Sequence, residues 1–130
     1  MQENVVKVLK ENPWSVATFD KEPNVVPVGF KAVTEDGKLL LGNILMQTTV
    51  ENVKATGFAA VSAYDPKTSE GYQVKGKACY VTEGPAMEQM KAMADQVFHG
   101  AVVVQGVIVI APEKVIVTTP GPDNKKEIPL

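Results

Sequence analysis

The sequence has 130 residues, of which 45% are hydrophobic and 22% charged, the composition of one ordinary globular domain. Its formal net charge of −2 gives no general attraction for nucleic acid or anionic membranes, so we expect neither as a partner. A single cysteine and a single histidine exclude an internal disulfide and a thiolate-type zinc site, and no spacing suggests another metal site.

The N-terminal residues show no basic segment followed by an apolar run, so we expect no signal peptide. The longest apolar stretch, residues 101–111, is too short to cross a bilayer. We therefore expect a cytoplasmic location. We also expect residues 1–130 to form a single domain with an irregular tail over residues 120–130.

The first third of the chain predicts a helix followed by strands. Glu3 to Glu11 has amphipathic helical spacing, which Pro13 ends. Trp14 to Phe19 predicts a strand. Asn24 to Val33 predicts a second strand, which is either at an edge or locally irregular at Pro27 because proline donates no ladder hydrogen bond.

The middle of the chain predicts a hairpin and then a short helix. Asp36-Gly37 is a strong hairpin signal and leads to a strand over Leu39 to Leu41. Thr48 or Thr49 opens a helix, and Thr48 lies three residues before Glu51, the spacing of a capping box.

The remaining chain predicts four strands and one helix, which Pro85 begins. Seven short strands with few crossover helices argue against a doubly wound parallel sheet. A mainly β fold with peripheral helices follows, its antiparallel strands closing on themselves. The four strands are Phe58 to Tyr64, Gly71 to Thr82, Val102 to Ile110 and Val115 to Thr119.

Two neighbouring segments could hold a ligand. Thr48 and Thr49 stand at a helix start, where free N–H groups and the helix dipole favour an anion, although a plain N-cap is the alternative. In Pro27-Val28-Gly29-Phe30-Lys31, Gly29 lets a flat ring approach the backbone and Lys31 supplies a cation, although a surface lysine on an edge strand is the alternative. A planar apolar site beside an anion site is what a flavin nucleotide needs.

The order of these elements resembles the split-barrel flavoproteins, the family of pyridoxamine 5′-phosphate oxidase and small FMN-binding proteins. The residues that carry the resemblance are Val26 to Lys31, Gly42-Asn43, Gln47 to Thr49 with Asn52, and Gly71 to Gly76. The resemblance implies an antiparallel split β-barrel that binds FMN between the two protomers of a homodimer.

The resemblance also implies a role for individual residues. Gln47, Thr48 and Thr49 would hold the phosphate, with Asn52 supporting the turn. Gln73 would approach the cofactor across the dimer interface. The ring and ribityl contacts would come from Pro27, Val28, Gly29, Phe30, Lys31 and Asn43.

Three functions are compatible with the sequence. The first is an FMN-dependent oxidoreductase or electron carrier, in which the cofactor supplies the redox chemistry. The second is a flavin- or nucleotide-binding module without turnover. The third is a structural dimer whose pocket is empty.

Overall fold

A computed structural model describes all 130 residues as three helices and eight strands. The helices are α1 (Glu3–Glu11), α2 (Thr48–Thr56) and α3 (Pro85–Phe98). Helix α1 buries Val5, Val8 and Leu9, and Gly57, with a φ of 74°, caps the C-terminus of α2. The strands are β1 (Trp14–Phe19), β2 (Pro23–Val28), β3 (Lys31–Val33), β4 (Leu39–Asn43), β5 (Phe58–Tyr64), β6 (Gly71–Val81), β7 (Gly106–Val117) and β8 (Glu127–Ile128).

The strands form one antiparallel sheet in the order β2-β1-β5-β6-β7-β4-β3, with β8 paired to β7. β2 and β3 are the two edges of this sheet, yet only Gly29 and Phe30 separate them along the chain. Val28 and Lys31 are three residue steps apart along the chain and therefore at most about 11 Å from each other, so the sheet must curl until its edges meet. The result is the antiparallel split barrel that the sequence predicted. Of the two alternatives predicted for the strand at Pro27, the structure shows the edge position.

The core has two parts. Twenty buried residues fill the barrel and pack against α1 and α2, and seven more lie between the sheet and α3. Trp14 is 1% exposed and donates its indole N–H to the Leu9 carbonyl at 2.7 Å, which ties α1 to the barrel. None of the three helices combines the length and apolar character needed to cross a membrane.

Three strand predictions were wrong. The predicted strand Asn24 to Val33 is broken at Gly29 and Phe30, where the chain passes from one sheet edge to the other. The two strands predicted on either side of Pro112 are one strand, β7, because Pro112 lies at a bulge opposite Gly76. Only glycine suits position 76, since a Cβ added to Gly76 would overlap the Ala111 carbonyl. The tail is also less irregular than predicted, because it contributes β8.

Candidate functional site

A groove of about 670 Å³ opens beside the edge strand β2. Its other walls are the loop over residues 44–47, the start of α2 and the end of α3. This volume lies within the roughly 300–1,000 Å³ that small-molecule sites occupy. The groove is therefore large enough for a ligand of nucleotide size.

One side of the groove is apolar. Val26, Val28 and Phe30 line it together with Phe98 at the end of α3. The rings of Phe30 and Phe98 meet edge to face, with centroids 5.4 Å apart and an interplanar angle of 68°. Gly42 allows this arrangement, because an added Cβ would overlap the Phe30 ring. Such a surface suits a planar aromatic group.

The opposite end of the groove is the start of α2, which carries no side-chain cap. Gln47 is the N-cap residue, with φ −123° and ψ −66°. The first helical hydrogen bond runs from the Glu51 N–H to the Gln47 carbonyl at 3.0 Å, so the N–H groups of Thr48, Thr49 and Val50 have no backbone partner. Three free N–H groups at the positive end of a helix favour an anion.

The capping box predicted from Thr48 and Glu51 was wrong. Thr48 is the first residue inside the helix, and its hydroxyl accepts no bond from the helix backbone. The neighbouring Thr49 hydroxyl instead accepts a hydrogen bond from Asn24 of β2, at 3.1 Å. Neither threonine caps the helix, so the helix start presents its N–H groups to the groove region.

A buried polar network lies behind the groove wall. Asn24 Nδ2 also donates to the Thr18 hydroxyl at 3.4 Å, and Asn52 Nδ2 donates to the same hydroxyl at 3.1 Å. Thr18, Thr49 and Asn52 are all less than 10% exposed. The network ties α2 to β1 and β2, and it therefore sets the position of the helix start relative to the edge strand.

Seven of the eleven residues predicted to bind the cofactor line this groove. They come from the break between β2 and β3 and from the start of α2, which the curl of the sheet brings together. These residues are Pro27, Val28, Gly29, Phe30, Gln47, Thr48 and Thr49.

Lys31 lies away from the groove, although the sequence predicted a ring or ribityl contact for it. Its ammonium donates to the Leu9 carbonyl at 2.9 Å and to the Lys10 carbonyl at 3.3 Å. It also lies 5.2 Å from the centre of the Trp14 ring. Burial lowers the pKa of the Lys31 ammonium. This side chain caps the C-terminus of α1, where a cation is favourable.

Asn43, Asn52 and Gln73 do not line the groove either. Asn43 is 3% exposed, and its amide donates a hydrogen bond to the Tyr80 hydroxyl at 2.9 Å. Its Oδ1 accepts a hydrogen bond from the Met46 N–H at 2.7 Å, so Asn43 stabilises the loop over residues 44–47. Asn52 belongs to the network behind the wall. Gln73 lies half-buried on the outer face of β6, where a contact across a dimer interface stays a prediction.

None of the fourteen residues that line the groove has an ionisable side chain. The polar groups in it are amides, hydroxyls and backbone N–H groups, which can bind and orient a ligand. Protein-borne general acid–base catalysis needs a titratable group within hydrogen-bond reach. The groove by itself is therefore suited to binding and placement.

Seven groove residues were not among the predicted cofactor contacts, namely Asn24, Val26, Gly42, Ile44, Leu45, Met46 and Phe98. Of these, Asn24 and Phe98 lie outside residues 26–52, the range that carried most of the resemblance. Asparagine is depleted in strands, so Asn24 at the start of a predicted strand was an available signal. Phe98 carries no such signal, because an apolar residue near the end of an amphipathic helix is ordinarily a core residue.

The family model for pyridoxamine 5′-phosphate oxidase matches residues 1–121. Among solved structures, tagged HupZ of Group A Streptococcus is 22% identical with a TM-score of 0.82, covering 95% of this chain and 98% of that chain. An FMN-binding protein of Syntrophomonas wolfei is 16% identical with a TM-score of 0.80, covering 92% and 87%.

A putative pyridoxamine 5′-phosphate oxidase of Lactobacillus delbrueckii is 22% identical with a TM-score of 0.70, covering 89% of this chain and 93% of that chain. None of the curated protein sequences matches the chain. At these identities the solved structures establish a shared fold, and the family model establishes the relationship.

Proposed function

The chain belongs to the pyridoxamine 5′-phosphate oxidase family, and on this premise we propose that it is a flavoprotein that binds FMN in the groove beside β2. We propose further that it acts as an oxidoreductase or an electron carrier.

The observation that carries the proposal is the uncapped start of α2 at one end of an apolar groove. The three free N–H groups of Thr48, Thr49 and Val50 suit a phosphate, and the side chains of Gln47 and Thr48 are exposed beside them. The opposite wall suits a planar ring. The residues present therefore match both halves of FMN.

Gly29 contributes open space to this wall. No atom lies within 4 Å of the position that a Cβ would occupy there, and the backbone φ is not in the left-handed region. The absence of a side chain is thus not demanded by the local packing or conformation. It would instead allow a flat ring to approach the strand backbone.

The phosphate site that we propose is formally neutral. The groove has no lysine, and every basic residue of the chain is a lysine. Neutral donors give weaker bonds to a phosphate than guanidinium or ammonium groups do. We therefore expect a modest affinity for FMN.

When FMN is bound it supplies the redox chemistry, and the chain's own residues place it and shield one face from water. The lack of any ionisable side chain in the groove favours a second candidate, a flavin-binding module without turnover. The two candidates differ in whether reduced flavin in the protein passes electrons to an acceptor.

We also propose a homodimer formed through the outer face of β2, β1 and β5. Small residues form the centre of this face, where Ala17 pairs with Val25 on one side and with Ala60 on the other. Large apolar side chains surround them, including Val25 at 65% exposure and Phe58 at 55%. An exposed apolar surface of this kind is typical of a protein interface.

Two matched valine substitutions test the proposed dimer. Val25 lies on this face and Val103 lies in the loop before β7, and both valines are strongly exposed. Val25→Glu is expected to give a monomer in sedimentation velocity, and Val103→Glu to leave the dimer intact. A wild-type monomer at micromolar concentration would contradict the proposed dimer.

The flavin proposal is tested by the visible absorption spectrum of the purified protein before and after FMN is added. Flavin bands that remain after desalting and bleach with dithionite would establish the cofactor. A protein that stays colourless, with FMN passing straight through the column, would refute the proposal. Reoxidation of the reduced protein by added acceptors would then separate a carrier from a module without turnover.

A further inference from the structure

We infer that Asn24 is a positioning residue, which directs the Thr49 hydroxyl so that its proton is donated to the phosphate of FMN. This inference rests on the proposed function and concerns two residues of the same groove. Both side chains line the groove, and their hydrogen bond of 3.1 Å joins the edge strand β2 to the start of α2.

The direction of the hydrogen bond follows from the chemistry of the two groups. An amide nitrogen donates hydrogen bonds and accepts none, so the Thr49 oxygen is the acceptor where it meets Asn24 Nδ2. The single proton of the Thr49 hydroxyl must then point elsewhere. Thr49 lines the groove and its hydroxyl makes no other hydrogen bond within the chain, so the proton is available to a ligand there.

Asn24 is itself held by the buried network. One of its amide N–H bonds goes to Thr49 and the other to Thr18, whose hydroxyl also accepts from Asn52. The Asn24 Oδ1 atom has no partner within the chain. In the structure the amide nitrogen faces both threonine hydroxyls, so both hydroxyl oxygens accept hydrogen bonds from Asn24.

The direction of this proton matters because the site has no cation. A phosphate accepts hydrogen bonds and donates few, so a hydroxyl helps only when its proton faces the ligand. Bonds to charged acceptors are stronger than neutral ones, and losing one is expected to weaken binding roughly 10- to 100-fold.

The test uses Asn24→Asp and Thr49→Val, which keep the shapes of the side chains. A carboxylate accepts hydrogen bonds and donates none, so in Asn24→Asp the Thr49 hydroxyl must turn its proton away from the groove. Thr49→Val removes the hydroxyl altogether. Thr49→Ser retains the hydroxyl and is the rescue variant.

Affinities for FMN and for riboflavin, which lacks the phosphate, are measured by the quenching of flavin fluorescence. We expect Asn24→Asp and Thr49→Val each to weaken FMN binding at least 10-fold, and to change riboflavin binding less than about threefold. Thr49→Ser is expected to bind FMN like the wild type. Urea unfolding of each variant shows that it is folded.

The double variant separates hydroxyl direction from the added negative charge. If Asn24 acts through Thr49, Asn24→Asp weakens FMN binding much less when Thr49 is already valine. Gln89→Glu, which adds the same charge at an exposed position outside the groove, controls for net charge.

Three results would overturn the inference while leaving FMN binding established. One is unchanged FMN affinity in Asn24→Asp, and another is an equal loss for Asn24→Asp in both backgrounds. The third is equal wild-type affinity for FMN and riboflavin, which would show that the phosphate makes no contact. A wild-type protein that binds no flavin would refute the proposed function, and the inference would fall with it.

Discussion

A methyl group added at Gly42 would overlap the aromatic wall of the groove. The new Cβ would fall on the Cδ2 and Cε2 atoms of Phe30 and lie 3.2 Å from Met90 Cε. Carbon atoms pack at roughly 3.5–4 Å, so the Phe30 ring must move. Phe30 is only 8% exposed and contacts Phe98, so it has little room to do so.

The expected cost of Gly42→Ala follows from two opposing effects. Overpacking a core position costs about 1–3 kcal/mol. Replacing glycine by alanine also restricts the unfolded chain, which stabilises the fold by about 0.4–1 kcal/mol. The net loss in the free energy of unfolding should be about 1–2 kcal/mol. At a urea slope of about 2 kcal/mol/M the midpoint should fall by roughly 0.5–1 M.

The assay is urea unfolding followed by the fluorescence of Trp14, the only tryptophan. Gly29→Ala is the matched control, because no atom lies within 4 Å of its Cβ position, and it should not destabilise the protein. Phe30→Val removes the ring atoms that the new methyl would meet. In that background Gly42→Ala should cost less than about 0.5 kcal/mol. An equal cost in both backgrounds would refute the reasoning.

Two further predictions concern residues outside the groove. Lys31→Met should lower the free energy of unfolding by about 1 kcal/mol, because α1 loses the cation at its C-terminus, and should leave FMN affinity within about twofold. A tenfold loss of FMN affinity in a variant of unchanged stability would contradict the placement of Lys31. The pKa of Tyr72 is raised to about 12 by burial, by its hydrogen bond to Glu70 and by the Glu70 charge. The native state therefore holds the phenolic proton more tightly than the unfolded state. The stability that this contributes is present below about pH 10 and is lost as the pH rises towards 12. Urea midpoints between pH 9 and pH 12 should show this decline in the wild type relative to Tyr72→Phe, and parallel curves for the two proteins would contradict it.

Much of the architecture depends on local signals and was predictable for that reason. Alternation along a strand puts Tyr72, Val74 and Ala78 on one face of β6, and all three are buried. The Asp36-Gly37 turn joins β3 to β4 as predicted, with Gly37 at a φ of 85°. Such signals rely on residues a few positions apart, because side-chain direction and turn conformation are properties of the local backbone.

The groove was only partly predictable. The two segments expected to meet do meet, because the hairpin between them keeps them close along the chain. The polar partners were harder to assign. Lys31 and Asn24 lie seven positions apart on the same predicted strand. The lysine, which was predicted to contact the cofactor, caps α1, and the asparagine, for which no role was predicted, contacts Thr49 in the groove.

The sequence alone determined the class of fold and two of the segments that form the groove. Only the tertiary structure decided which polar side chains reach it. The break at Gly29 and Phe30 moves the chain from one sheet edge to the other, and it sends the Lys31 side chain towards α1. A hydrogen bond between groups more than twenty positions apart, such as that between Asn24 and Thr49, depends on how far the sheet curls. Sheet curvature is set by the packing of the whole barrel, and no short stretch of sequence encodes it.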